Sequence, residues 1–167
     1  MELIEPSMAY AKSFEEGIKE FNSDHVPGFL NNGEPLTDVA MYITRTKQQA
    51  RGEALPDGWV PSNTFWLIDG GQFIGIVNIR HHLTKILDTR GGHIGYAIRP
   101  SKQGQGYGTG MLRLALMEAK KLGIDRALVT CSKNNIASRR VIEKNRGIFQ
   151  DEIEVDGEPV LRFWIEM

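Results

Sequence analysis

Four glycines alternate through Gln103-Gly104-Gln105-Gly106-Tyr107-Gly108-Thr109-Gly110, at the junction between a short apolar strand pattern and the most regular helical pattern of the chain. A glycine-rich turn that feeds a helix brings several unpaired backbone N–H groups, and the positive end of the helix dipole, to one point in space. Without Cβ atoms an anion can reach those amides, and the chain can adopt positive φ. Tight turning and close helix packing alone need one or two glycines rather than four on alternate positions. A phosphate is therefore the expected ligand of this loop. Spacing narrows the choice further. Counted from Gly104 the sixth residue is Thr109, and from Gly106 it is Met111, so the dinucleotide fingerprint fails, and no Gly-Lys-Ser/Thr ending marks a P-loop.

The segments around this loop read as alternating elements. A short strand over 2–4 precedes two amphipathic helices, one with Ala11, Phe14, Ile18 and Phe21 on its apolar face, the other with Val39, Tyr42, Ile43, Thr46 and Ala50 after a Thr37 or Asp38 cap. From residue 64 the pattern changes to strands. Residues 65–68 and 73–80 form a hairpin across Asp69-Gly70-Gly71-Gln72, with Gly75 marking a bulge or a close backbone approach. A strand over 94–98 ends before Pro100, a helix spans 108–122 with Gly123 as its left-handed cap, and a buried strand covers 125–131. A short helix over 136–144, capped by Asn134 or Asn135, leads into a final hairpin across Asp156-Gly157. Segments 22–36 and 51–63 carry the Pro, Gly and Asn of loops.

With 167 residues the chain has the length of one domain, and no repeat or linker divides it, so 1–167 is read as a single unit. Twenty Lys and Arg against 21 Asp and Glu leave a net charge of -1, which gives no broad electrostatic footprint for nucleic acid or an anionic membrane. Any anion must be held locally. One cysteine, Cys131, excludes an internal disulfide framework and a multi-cysteine zinc site. No apolar run reaches the ~18 residues of a membrane span, and the acidic start is unlike a signal peptide, so a cytoplasmic protein is expected.

Gln-x-x-Gly-x-Gly, present as Gln103, Gly106 and Gly108 after a strand that ends in Ile98-Arg99-Pro100, resembles the pyrophosphate loop of the GCN5-related N-acetyltransferases. Residues 73–77, a strand with an internal glycine, and Asn135-x-x-Ser138 followed by 141–145 are similar to two further segments of that family. The resemblance implies an α/β fold with a mixed, mostly antiparallel central sheet of six to seven strands flanked by about four helices. It also implies acetyl-CoA as cosubstrate, with no metal. Backbone amides of Gly104, Gln105, Gly106, Tyr107, Gly108 and Thr109 would cradle the pyrophosphate, with Gln103 in the same loop. Tyr96, Ala97 and Ile98 would run beside the pantetheine arm where the sheet splays, and Asn135 would bond the pantetheine or phosphate region or else serve as a helix cap. Lys102, Arg99 and Lys133 would add charge near the adenosine phosphates.

Acetyl transfer to an amine calls for a base to take the ammonium proton and an acid for the departing thiolate. His93, which opens the strand leading into the loop, is the first candidate base, and His81 and His82 follow as bases acting through water. Adjacent histidines on a strand point to opposite faces and rarely ligate one ion. Many relatives carry a tyrosine acid seven residues after the equivalent of Asn135, but here that position is Ile142, so Tyr96, Tyr107 or water would take the role. A glycine expected near 146 is displaced to Gly147. Cys131 reads as an inert buried thiol before it reads as an acyl-enzyme nucleophile. The implied function is direct transfer from acetyl-CoA to a primary amine in a ternary complex, with a small-molecule acceptor seated between segments 22–36 and 81–92 and the second helix. The alternatives are a non-catalytic acyl-CoA sensor, an acetyltransferase of protein N-termini or lysines, and a nucleotide-phosphate binder outside the family. The last hairpin offers a possible homodimer edge.

Overall fold

A computed structural model describes residues 1–21 and 36–167. Among them are seven strands: β1 (Glu2–Ile4), β2 (Ser62–Asp69), β3 (Gln72–Arg80), β4 (Ile94–Ile98), β5 (Arg126–Ser132), β6 (Ile148–Val155) and β7 (Glu158–Glu166). Five α-helices accompany them: α1 (Ala11–Lys19), α2 (Val39–Ala50), α3 (Lys85–Thr89), α4 (Tyr107–Lys121) and α5 (Ile136–Lys144). The strands make two antiparallel sheets, in the order β1-β2-β3-β4 and β5-β7-β6. Four helices were expected on the faces; the additional one, α3, lies inside segment 81–92 and is capped by the Thr84 hydroxyl, which accepts from Leu87 N at 3.2 Å. Most of segment 22–36, expected to border the acceptor, lies outside the described residues.

Local chemistry accounts for the element boundaries. Asp38 accepts from Ala40 N and Met41 N and starts α2, while Asn135 accepts from Ser138 N and starts α5. Gly123 takes φ +82° beyond α4, and Asp156 and Gly157 both take positive φ in the β6–β7 turn. In the β2–β3 hairpin, Leu67 pairs with Gly75 but Ile68 pairs with Phe73, so Ile74 is the extra residue of a bulge. Gly75 also fulfils the close-approach expectation, because a Cβ there would lie 2.6 Å from Ala97 O on β4.

Two apolar cores sit on opposite sides. Phe14, Tyr42, Trp66 and Phe73 fill the space under α1 and α2, with Phe14 stacked on Trp66 at 4.1 Å between centroids. Met111, Leu112, Ala115, Ile142 and Phe163 help fill the other, where α4 and α5 cover the sheets. Between the sheets, His93 N donates to Leu128 O at 2.8 Å just ahead of β4. Beyond that bridge the two strands diverge, and the divergence makes the site.

Candidate active site in the cleft between the two sheets

Strand β4 offers its edge to the cleft by simple alternation. Arg99 N bonds Ile74 O and Arg80 N bonds His93 O, so the peptide groups of Gly95 and Ala97 face β3, while those of Ile94, Tyr96 and Ile98 face β5. Of the three residues expected beside the pantetheine arm, Tyr96 and Ile98 present backbone groups to the cleft, whereas Ala97 contributes to its wall. The Ile98 carbonyl is already engaged by the Gln103 side chain, at 3.1 Å from Nε2. Gln103 therefore ties the glycine loop back to the end of β4.

The four alternating glycines divide into two pairs. Gly104 and Gly106 hold φ +74° and +87°, and a Cβ at either would meet nothing within 4 Å, so their outer faces are open. A Cβ on Gly108 would lie 3.1 Å from Val141 Cγ2, and one on Gly110 would collide with the Met1 side chain. The first pair sets the turn and the second lets α4 pack closely. Gly106 is the N-cap of α4 and supplies no side-chain cap; the first intrahelical amide bond is Gly110 N to Gly106 O, which leaves the amides of Tyr107, Gly108 and Thr109 directed outward ahead of it. Gln105 folds back onto Ser101 O at 3.1 Å.

These groups line a cavity of about 580 Å³ bounded by Tyr96, Ile98, Gly106, Thr109, Ser138 and Lys144, among others. Lys102, one of the three cations expected near the adenosine phosphates, lies in its wall. The other two expected cations are spent elsewhere: Arg99 pairs with Glu20 at 2.5 Å, and Lys133 pairs with Glu152 at 3.0 Å. Arg140 and Lys144, which were not among the expected cations, line the cavity beside Lys102. The signal was present, since Ala137, Arg140, Val141 and Lys144 recur at the spacing of one helical face and all four reach the cavity. Asn145 braces the arrangement by donating to both Thr109 O and Val141 O.

A second cavity of about 290 Å³ continues along the cleft, and Tyr96, Asn135 and Ser138 line both. At this junction the Tyr96 hydroxyl lies 3.0 Å from Ser138 Oγ, and burial, against the relief of that contact, pushes its pKa to about 12. The phenol is protonated across the physiological range. Cys131 also lines the second cavity, its thiol pushed up by burial and thus held as SH. Tyr107 is placed differently: its hydroxyl donates to Asp69 at 2.8 Å. Asn135 caps α5 through Oδ1, the alternative role anticipated for it, while still lining both cavities.

His93 lies outside both linings. It is 8 % exposed, and its Nδ1 accepts from Leu128 N at 3.0 Å, which places the single proton of the neutral ring on Nε2. Burial, followed by the nearby Arg80 and His82 charges, holds its pKa below the ordinary histidine value. The ring has no free lone pair with which to take up a proton, so its geometry differs from that expected of a base. His81 Nε2 meets Asn63 Oδ1 at 2.7 Å, and His81 and His82 also stand outside the two linings. Ile142, where relatives were expected to carry tyrosine, is fully buried in the core. Next to it the expected glycine shift resolves into two positions: Arg146 takes φ +65°, and Gly147 is needed because a Cβ would collide with the Ile142 side chain. Among the described residues no three His, Cys, Asp or Glu side chains converge to hold a metal, and no helix is long and apolar enough to cross a membrane.

The family model for the acetyltransferase (GNAT) domain matches residues 17–147. No curated protein sequence matches the chain. Solved structures with the same fold include a microcin self-immunity acetyltransferase in complex with acetyl-CoA and AMP, at 16% identity and TM-score 0.68, covering 99% of this chain and 91% of that one. A spermidine N-acetyltransferase from Vibrio cholerae is similar at 15% identity and TM-score 0.66, over 99% of this chain and 95% of that chain. An acetyltransferase from Salmonella typhimurium that modifies the N-terminal serine of a 50S ribosomal subunit protein is similar at 14% identity and TM-score 0.62, over 99% and 94%.

Proposed function

The chain belongs to the GNAT acetyltransferase family, and on that premise we propose that it binds acetyl-CoA in the cleft between β4 and β5 and transfers the acetyl group to a primary amine of a small molecule, by direct attack in a ternary complex. The observation that carries this reading is the continuity of the cleft. Outward amides at the start of α4 and the cations Lys102, Arg140 and Lys144 stand at one end, a free strand edge lies in the middle, and a protonated phenol stands where the two cavities meet. A diphosphate is matched by the first, an extended amide-bearing arm by the second, and a departing thiolate by the third.

In this reading the edge amides of β4 donate to the thioester oxygen as negative charge develops on it. The amine nitrogen forms the new C–N bond, the C–S bond breaks, the Tyr96 hydroxyl gives its proton to the departing sulfur, and water in the open cavity returns a proton to the phenolate. Ser138 orients that phenol. His93 is a positioning residue that fixes the spacing of the two sheets, and the amine proton leaves through water along the open cavity. Calorimetry with coenzyme A, paired with a thiol-release screen of acetyl-CoA against an amine library, tests the reading. Heat of association together with release of free thiol in the presence of an amine is expected. No association would remove the cleft assignment, and association without thiol release on any amine would leave a binding module in place of the enzyme.

A further inference from the structure

The second cavity contains a cation that the acetyl-transfer scheme does not use. Arg80 ends β3 with its side chain largely buried, and its Nη1 donates to Gly91 O at 3.1 Å and Gly92 O at 3.2 Å. Those carbonyls hold the guanidinium in place without neutralising it. No carboxylate among the described residues lies within ion-pair distance of it, unlike the half-buried Arg99 and Arg162, which are both paired. Nε and Nη2 have no protein acceptor among the described residues, and neither is sealed from open space. Burial alone pulls the pKa down to about 10, so the group remains charged at neutral pH. A buried charge without a counter-ion is costly unless an anion completes it.

A second donor stands on the same wall. Thr130 Oγ1 accepts from Gly91 N at 2.9 Å, which leaves its own hydroxyl hydrogen available, and Thr130 and Arg80 both line the cavity with Tyr96. The one carboxylate in the lining, Glu158, lies at 3.4 Å from Arg90 and is thereby countered. A guanidinium edge with two free donors, assisted by a hydroxyl, matches a carboxylate.

We propose that Arg80 and Thr130 form an anion subsite at the inner end of the cleft, and that it receives a carboxylate carried by one of the two reactants. This rests on the reading of the cleft as the acyl-CoA site. The carboxylate has two possible sources: an amine acceptor of amino-acid size, or an acyl chain ending in a carboxylate, as in succinyl-CoA. At about 290 Å³ the cavity suits a compact group of either kind. A polyamine would bring further positive charge toward an uncompensated guanidinium and is disfavoured.

Three measurements test the subsite. Succinate, used as a probe without coenzyme A, should give saturable thermal stabilisation of the wild-type protein that Arg80→Met abolishes; absence of any such binding overturns the proposal whatever the activity. In thiol release, either amino acids should exceed their carboxamides by at least ten-fold in kcat/KM with acetyl-CoA, or succinyl-CoA should exceed butyryl-CoA with a simple amine. The first preference identifies the acceptor as the source and the second the acyl chain. Arg80→Met should erase that preference chiefly through KM, Arg80→Lys should restore part of it, and Thr130→Val should weaken it several-fold. A preference that survives Arg80→Met, or turnover of spermidine at or above that of the carboxylates, sinks the subsite. Should coenzyme A fail to bind while succinate binds through Arg80, the cleft reading fails and the subsite stands.

Discussion

The Nδ1 atom of His93 accepts the amide hydrogen of Leu128 at 3.0 Å, and this bond fixes both the tautomer and the task of the imidazole. His93→Phe leaves the Leu128 N–H buried without an acceptor, a loss of about 1–3 kcal/mol. The expected outcome is a lower unfolding midpoint in urea, with the pH dependence of thiol release unchanged in shape. Loss of an acidic limb in the variant would instead make His93 a base.

The same ring makes stability depend on pH. Burial holds the folded-state pKa below 6.5, so between that depressed value and 6.5 the unfolded chain binds the extra proton. The stabilisation is complete above about pH 6.5 and is lost as pH falls through the folded-state value. His81 shifts in the same direction, through burial and the His82 charge, and adds to the slope. Urea denaturation at successive pH values should show stability falling below pH 6.5 in the wild type and a shallower fall in His93→Phe.

Substitutions at the paired glycines separate conformation from packing. Gly106→Ala places a Cβ at φ +87°, at a backbone cost of about 1–2 kcal/mol, and on the face where a diphosphate is proposed to dock. Its dissociation constant for coenzyme A should rise at least ten-fold while the fold survives. Gly108→Ala meets Val141 Cγ2 at 3.1 Å instead, so it should act mainly on the melting temperature. Equal effects of the two on coenzyme A affinity would argue against the docking point.

Tyr96→Phe removes the hydroxyl that meets Ser138 at 3.0 Å where the cavities join. We expect kcat to fall by roughly 10²-fold, the low end for a general acid, with KM for acetyl-CoA little changed. Because the phenol titrates at about 12, no alkaline limb due to Tyr96 should appear below pH 10. Stopped-flow thiol detection across pH 6–10 checks both statements.

Glu20 accepts from Arg99 Nε at 2.5 Å and from Ser101 N at 2.9 Å, pinning the turn before the glycine loop to the end of α1. Desolvation opposes its ionisation, but the bonds from Ser101 and Arg99 outweigh it and the carboxyl lies below its ordinary value. Its contribution is therefore present above about pH 4.5 and lost as pH falls through the folded-state value. Glu20→Gln should weaken coenzyme A binding a few-fold without touching any group that faces the cleft, as calorimetry would show.

Local rules made much of this molecule legible. The β2–β3 hairpin, including the bulge and close approach at Gly75, follows from alternation and one glycine, and the Asp38 and Asn135 caps follow from side-chain reach. Helix α3 escaped because five residues carry too little periodicity to register. The splay between β4 and β5 was implied by the family resemblance and by no residue pattern of its own, because how far two strands diverge is a tertiary property. The glycines of the loop look alike in sequence, so only the folded structure divides turn from packing. Arg99 and Lys133 were expected at the phosphates because charge is visible in sequence; their partners Glu20 and Glu152, distant along the chain, were not. His93 was read as a base for the same reason, since nothing in the sequence announces that Leu128 occupies its lone pair.

The bridge at His93 also has a mechanical consequence. The two sheets meet there and part along β4, like a zipper closed at one end. An extended guest that bonds to the bare edge of Tyr96 and to the Ile98 amide would act as the missing teeth, knitting seven strands into a single fabric. Slowed amide exchange on occupancy should therefore spread into β5 and β7, far beyond the atoms the guest touches.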